Sequence, residues 1–174
     1  AKQFDHAFEY FLILHRKFPK TKNLEPSLHR FLYLNASDCF EDKRDFEAMA
    51  ILDELHRRNA AFQLDPSAPS VVAVLDKTVE RIHDGYLAEK KHAAARDLIL
   101  RMRRNKYRLQ ATAKAAAELD RLASVKRNEA RVFIDGGLLR EADGAVREMM
   151  RSYPLVQGGR EIQEEIHRKY PLIN

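Results

Sequence analysis

Three windows of the chain line up on one another at a constant offset of 47 residues: Cys39 to Leu55, Tyr86 to Met102 and Phe133 to Met149. In each, the first residue is followed nine positions on by an alanine (Ala48, Ala95, Ala142), then by an aliphatic after four more (Leu52, Ile99, Val146) and another after three (Leu55, Met102, Met149). Steps of four and three place side chains on one face of an α-helix. A pattern of this kind, recurring every few tens of residues, describes a helical hairpin too small to bury its own apolar face and therefore stacked on the next copy.

The rest of the chain reads the same way. Hardly any stretch alternates apolar and polar residues with period two, and the strand-like Val71-Val72-Ala73-Val74 dissolves into the helical series Val71, Val72, Leu75, Val79, Ile82 and Tyr86. The expectation is an all-α chain of about eight antiparallel helices, near 3–18, 27–41, 45–59, 69–88, 91–105, 109–135, 139–152 and 158–169. Phe18-Pro19 and Tyr153-Pro154 end helices, because proline disfavours helical backbone in the residue before it. Pro26-Ser27, Asp65-Pro66 and Ser67-Ala68-Pro69-Ser70 mark helix starts. Gly136-Gly137 and Gly158-Gly159 supply permissive turns, whereas the matching turns Asp42-Lys43-Arg44 and Glu89-Lys90-Lys91 are polar and lack glycine. Short turns of this sort lay the helices they join side by side in opposite directions.

Composition sets the remaining bounds. With 174 residues, 45% of them apolar, the chain suits one domain or one short stack with a sizeable core. No apolar run nears the ~20 residues of a membrane-spanning helix, so no membrane insertion is expected. The single cysteine, Cys39, stands where the other windows carry Tyr86 and Phe133, which makes it a small core residue rather than a reactive thiol. The net charge of +5 is uneven: residues 1–70 hold ten Lys or Arg against eleven Asp or Glu, and the remainder 21 against 15. An excess of that kind favours an acidic partner or nucleic acid, or simply solvates helical faces.

A small residue followed three positions later by an aromatic, then a turn, an alanine, two further apolar positions and a closing proline is the series Ala130, Phe133, Gly137, Ala142, Val146, Met149 and Pro154. It resembles the tetratricopeptide repeat. Ala36, Cys39, Ala48, Leu52 and Leu55 match in part, as do Tyr86, Ala95, Ile99 and Met102, with His83 where a small residue is expected. Ala7, Phe11, Leu14 and Pro19 repeat the spacing of a second helix. The period departs from the family's 34 residues and falls in the range of HEAT and armadillo arrays, the rival reading. The resemblance implies a superhelical stack forming one domain over 1–174: a partial repeat at 1–19, repeats at 27–66, 69–107 and 109–154, and a last helix at 158–169.

It also implies a function, the binding of a protein or peptide by the first helices of successive repeats. The family's contact positions fall on Arg30, Tyr33 and Ser37, on Lys77, Glu80 and Asp84, and on Arg127, Arg131 and Ile134. The alternative is a helical array that binds nucleic acid through the basic run Arg101, Arg103, Arg104, Lys106 and Arg108 with Tyr107 among them. That run lies at an expected helix end, where cations complement the dipole, and the structural reading is preferred.

No catalytic, metal or cofactor pattern stands out: the seven histidines form no His-Glu-x-x-His pair, and no glycine-rich phosphate loop or Gly-x-Ser-x-Gly turn occurs. No enzyme activity and no cofactor are expected. Phe4, Phe8, Phe11, Leu12, Ile13, Leu14 and Phe18 spread over more than one stripe of the first helix. That surplus, in a chain that opens at Ala1 rather than at methionine, suggests a piece of a longer protein, with an apolar patch or self-association at this helix.

Overall fold

The computed structural model describes residues 2–153 and 158–171, the side chains of residues 2–5 excepted. The described residues form an all-α chain of eight helices: α1 (Lys2–Lys17), α2 (Leu24–Glu41), α3 (Asp45–Arg58), α4 (Val71–Ala88), α5 (His92–Arg104), α6 (Gln110–Asp135), α7 (Leu139–Ser152) and α8 (Gly159–Lys169). The chain divides into two compact units, Ala1–Ile82 and His83–Asn174. The Phe4 side chain and Pro154, both named above, lie outside what is described.

Three pairs of helices are joined by three-residue turns, 42–44, 89–91 and 136–138, and these turns share one geometry. The middle residue is left-handed in each: Lys43 (φ 59°), Lys90 (φ 56°) and Gly137 (φ 76°). The N–H after it reaches back to close the last helical turn, Arg44 to Cys39, Lys91 to Tyr86 and Leu138 to Phe133, each at 2.8 Å. The left-handed residue itself bonds Phe40, Leu87 or Ile134 at 3.1 Å. These paired bonds satisfy carbonyls that the end of a helix leaves without partners. Glycine reaches this conformation freely, whereas a side chain bears a cost of roughly 1 kcal/mol there. The absence of glycine from two of the turns therefore did not prevent the same closure. Lys106 (φ 60°) repeats it after α5, with Tyr107 bonded to Met102 at 3.0 Å.

Within the first unit α2 lies against α3. Their seam holds Leu28, Leu32, Ala36, Cys39, Ala48, Leu52 and Leu55, all 0–1% exposed. Cys39 is a buried free thiol, pushed above its ordinary pKa chiefly by burial, in keeping with a core role. Arg81 of α4 fastens the α2–α3 turn: its Nε donates to Asp45 Oδ1 at 2.6 Å, one Nη donates to the Phe40 carbonyl at 2.6 Å, and the guanidinium lies 3.8 Å from the Phe40 ring centroid. Helix α1 packs on α2 through half-buried Ala7, Phe11 and Leu14, with the Phe11 and Phe31 rings 5.4 Å apart. Tyr10, Leu12, Ile13 and Phe18 are exposed, so the apolar surplus of this helix does reach the surface.

In the second unit α6 packs on α7, with α5 and α8 against them. The core joins Ala95, Ile99, Ala115, Leu119, Ala123, Ala130, Ile134, Ala142, Val146, Met149, Ile162 and Ile166. His92 and Arg96 of α5 hold the end of α7: the His92 ring nitrogen Nδ1 is 2.7 Å from the Tyr153 hydroxyl, and Arg96 donates to the Arg151 carbonyl. Helix α8 buries Gly159, Ile162 and Ile166 and turns Arg160, Glu161, Glu164, His167, Arg168 and Lys169 outward.

Helix boundaries agree with the sequence expectation to within three residues. Helix α2 starts at Leu24 instead of 27, because Asn23 (φ 68°) turns the chain and Pro26 falls inside the first helical turn, where its missing N–H breaks no bond. Asp65-Pro66 opens no helix. Helix α4 starts at Val71, capped by Ser70, whose hydroxyl oxygen accepts the Ala73 N–H at 3.2 Å, and residues 59–70 form a connection instead. The two starts, 24 and 71, keep the offset of the turns, whereas α6 starts at Gln110 rather than at 118.

Ala48, Ala95 and Ala142 are all 0% exposed. An Ala142→Leu change adds three carbons to a filled contact and is expected to lower stability by about 1–3 kcal/mol in chemical denaturation; an unchanged midpoint would refute close packing there. Lys90→Gly is expected to raise stability by roughly 0.5–1 kcal/mol, and Gly137→Ala to lower it by about 1 kcal/mol, since only the first relieves a strained backbone.

Candidate functional site

The nine positions expected to face a partner divide by burial. Arg30 and Lys77 are exposed, Ser37 and Glu80 half-buried; Asp84 and Arg131 are exposed and Arg127 is half-buried. Tyr33 and Ile134 are each 5% exposed and correct the expectation, since neither has surface to offer. Ile134 belongs to the core of the second unit. Tyr33 is covered by the chain's own connection, described below. Arg131 is engaged too, its guanidinium paired with Glu165 of α8, a carboxylate that also takes Lys169 at 3.1 Å. These two cations hold the Glu165 carboxyl below its ordinary pKa.

The connection 59–70 folds onto α2. The Phe62 ring stands edge-on to His29 at 5.7 Å and tilted against Tyr33 at 5.8 Å, centroid to centroid. The Tyr33 hydroxyl donates to the Pro69 carbonyl at 2.7 Å. The segment braces itself: Asp65 Oδ1 accepts the backbone N–H of Ser67 at 2.8 Å and of Ala68 at 3.0 Å, and Val71 N–H bonds the Phe62 carbonyl at 3.3 Å. Bonds from the Ser67 hydroxyl and backbone hold the Asp65 carboxyl below its ordinary pKa, and the positive charge of Arg30 adds to this. Burial pushes the Tyr33 phenol up, helped by the negative charge of Asp65. His29 and Tyr33 thus face Phe62 and the Pro69 carbonyl, and the charge of Arg30 acts on Asp65.

Sequence reasoning missed His29, Phe62 and Pro69 as parts of this arrangement. The available signal was Phe62 itself, a lone large ring in a stretch of Ala, Gln, Asp, Pro and Ser where a solvated connection has no use for one.

Elsewhere the surface is less structured. Beside Tyr153 a pocket of about 20 Å³, lined by Ile99, Leu119 and Arg96 among others, has room for one water. Asp97, Leu100, Arg103 and Arg104 edge a shallow open groove. The basic run spans the end of α5, with Lys106 supplying the left-handed cap and Tyr107 and Met102 buried. Among the described residues no group of three His, Cys, Asp or Glu side chains is placed to hold a metal ion, and no helix is long and apolar enough to cross a membrane.

His83 is a strongly perturbed titrating group. It occupies the place that Ala36 and Ala130 take at the same offset, is 1% exposed, and neither ring nitrogen has a hydrogen-bond partner among the described residues. Burial lowers its pKa from 6.5 to about 4, against the opposing pull of Asp84. No family model and no curated protein matches the chain.

The unfolded chain protonates His83 near pH 6.5 and the folded chain only near 4, so the unfolded state holds more protons between those values. The folded state is expected to lose up to about 3 kcal/mol as the pH falls through this window, with no loss above it and none further below. Denaturation of His83→Ala beside the parent chain checks this: the stability difference between them should shift with pH between 6.5 and 4, and a constant difference would show that the ring titrates normally.

Proposed function

We propose that the chain is a protein-interaction module built of tetratricopeptide-like hairpins, each of whose first helices, α2, α4 and α6, offers an outward face to an extended or helical peptide. The observation that carries this reading is the seating of residues 59–70 on α2. A non-helical segment there places an aromatic ring between two side chains of the helix, gives a main-chain carbonyl to a buried hydroxyl, and sets a carboxylate near an arginine. These are the means by which a helical face holds an extended peptide: apolar anchoring for affinity, charge for orientation.

Support also comes from the division of labour within the helices. The seam residues are apolar and alike from hairpin to hairpin, whereas an outward position changes charge: Ser37 is followed at the repeat offset by Asp84 and then Arg131, while Arg30 and Lys77 are both cations. A surface so varied reads a ligand by charge pattern rather than by a single repeated contact. The nucleic-acid alternative rests on Arg103, Arg104 and Arg108, all exposed, but the groove that Arg103 and Arg104 edge also carries the Asp97 carboxylate, paired with Arg96.

Panning a random peptide display library on the whole chain tests the reading. Binders are expected, and Lys77→Glu or Arg131→Glu should weaken individual clones at least tenfold while Arg103→Glu with Arg104→Glu leaves them unchanged. Failure to enrich any clone, together with tight RNA or DNA binding that falls steeply with salt and is lost in the double Arg variant, would replace it with the nucleic-acid reading.

A further inference from the structure

We infer that residues 59–70 are a strap over a peptide site on α2, and that the site's outside ligand is a turn-forming segment with an aromatic residue followed three positions on by a carboxylate. This rests on the peptide-binding reading above and names the ligand and the control of one of its faces. The strap shows the chemistry the site accepts, because it is itself a ligand tethered at both ends: Phe62 packs against His29 and Tyr33, Asp65 follows three residues later within the field of the Arg30 charge, and the Pro69 carbonyl accepts the Tyr33 hydroxyl's hydrogen bond.

Several features mark the segment as separable from the helices beneath it. Between its two ends its hydrogen bonds run within the segment, from Gln63 to the Ala68 carbonyl and from Ser67 and Ala68 to Asp65; Val71 at the head of α4 bonds back to the Phe62 carbonyl, and Tyr33 supplies the bond from α2. Phe62 is only half-buried, and Ala60, Ala61, Gln63, Asp65, Pro66, Ser67 and Pro69 are exposed. Segments with few buried contacts open far more readily than the core they cover. The other connections take a different course: that after α5 is the short stretch 105–109, after which α6 starts early. The length present after α3 is thus not a requirement of joining two hairpins.

A tethered ligand is present at an effective concentration of order millimolar, so an outside peptide must outcompete it. Lifting the strap removes that competition and raises the apparent affinity of the site in proportion to the fraction opened.

The experiment uses the whole chain and a fluorescent synthetic peptide of residues 59–70. In the parent chain, amide hydrogen exchange within 60–68 is expected to be at least tenfold faster than within residues 28–39 of α2. Phe62→Ala with Asp65→Ala is expected to keep the helical circular dichroism and a cooperative melt and to bind the peptide at least tenfold more tightly than the parent does. Adding Arg30→Glu and Tyr33→Phe to that variant should abolish the gain, and a scrambled peptide should not bind. Exchange in 60–68 as slow as in α2 would overturn the strap, as would a double variant that unfolds. A folded double variant binding no better than the parent would overturn the site on α2. Both failures leave the display result standing, so they are distinguishable from failure of the wider reading.

Discussion

Everything in this chain hangs on a backbone reversal that uses three residues and requires the middle one to be left-handed. A turn that short leaves no freedom of register. Once Arg44 N–H has bonded to Cys39, and its counterparts to Tyr86 and Phe133, the position of the second helix on the first is set. The alanine four residues beyond then falls where a larger side chain would not fit. The cost of the reversal is local and bearable. Where lysine adopts it, the residue follows a helix C-terminus, and attraction between its positive charge and the negative end of the helix dipole offsets part of the strain by a few tenths of a kcal/mol.

The ends of the helices show two solutions to one problem, the carbonyls that the last turn leaves unpaired. At the turns the backbone solves it by folding back on itself. An arginine from another helix adds a second donor at the Phe40 carbonyl, which the Lys43 N–H already reaches, and supplies one at the Arg151 carbonyl, Arg81 in the first unit and Arg96 in the second. A guanidinium suits this task because its donors diverge: one arm takes the carbonyl while another pairs with a carboxylate, Asp45 or Asp97. Two helices are thereby tied at a place where apolar packing alone would fray.

How much of this was legible in the sequence follows from the range of the forces involved. Helix positions were, since i, i+3 and i+4 spacing is local and repeated three times over. The left-handed lysines were not: nothing about Lys43 or Lys90 distinguishes it from an ordinary surface lysine, and only the closing bonds around it reveal the conformation. His83 was visible as the odd residue in the small position, but not as an imidazole without a partner. The docking of 59–70 was beyond reach for another reason. The Tyr33–Pro69 bond joins residues 36 apart, and no periodicity encodes it. The same blindness put Tyr33 among the expected surface contacts, because the positions carried over from a shorter repeat take no account of a connection long enough to cover them.

The alanine seam has a consequence for how such a chain can change over time. The residues that set the backbone, Ala48, Ala95, Ala142 and the turn carbonyls, are spatially separate from outward positions such as Arg30, Lys77 and Asp84. Substitutions at sites that share no partner combine almost additively. Drift at an outward position therefore leaves the seam's contribution intact. The fold and its surface are two inheritances in one chain, the first nearly closed to variation, the second open to it one residue at a time.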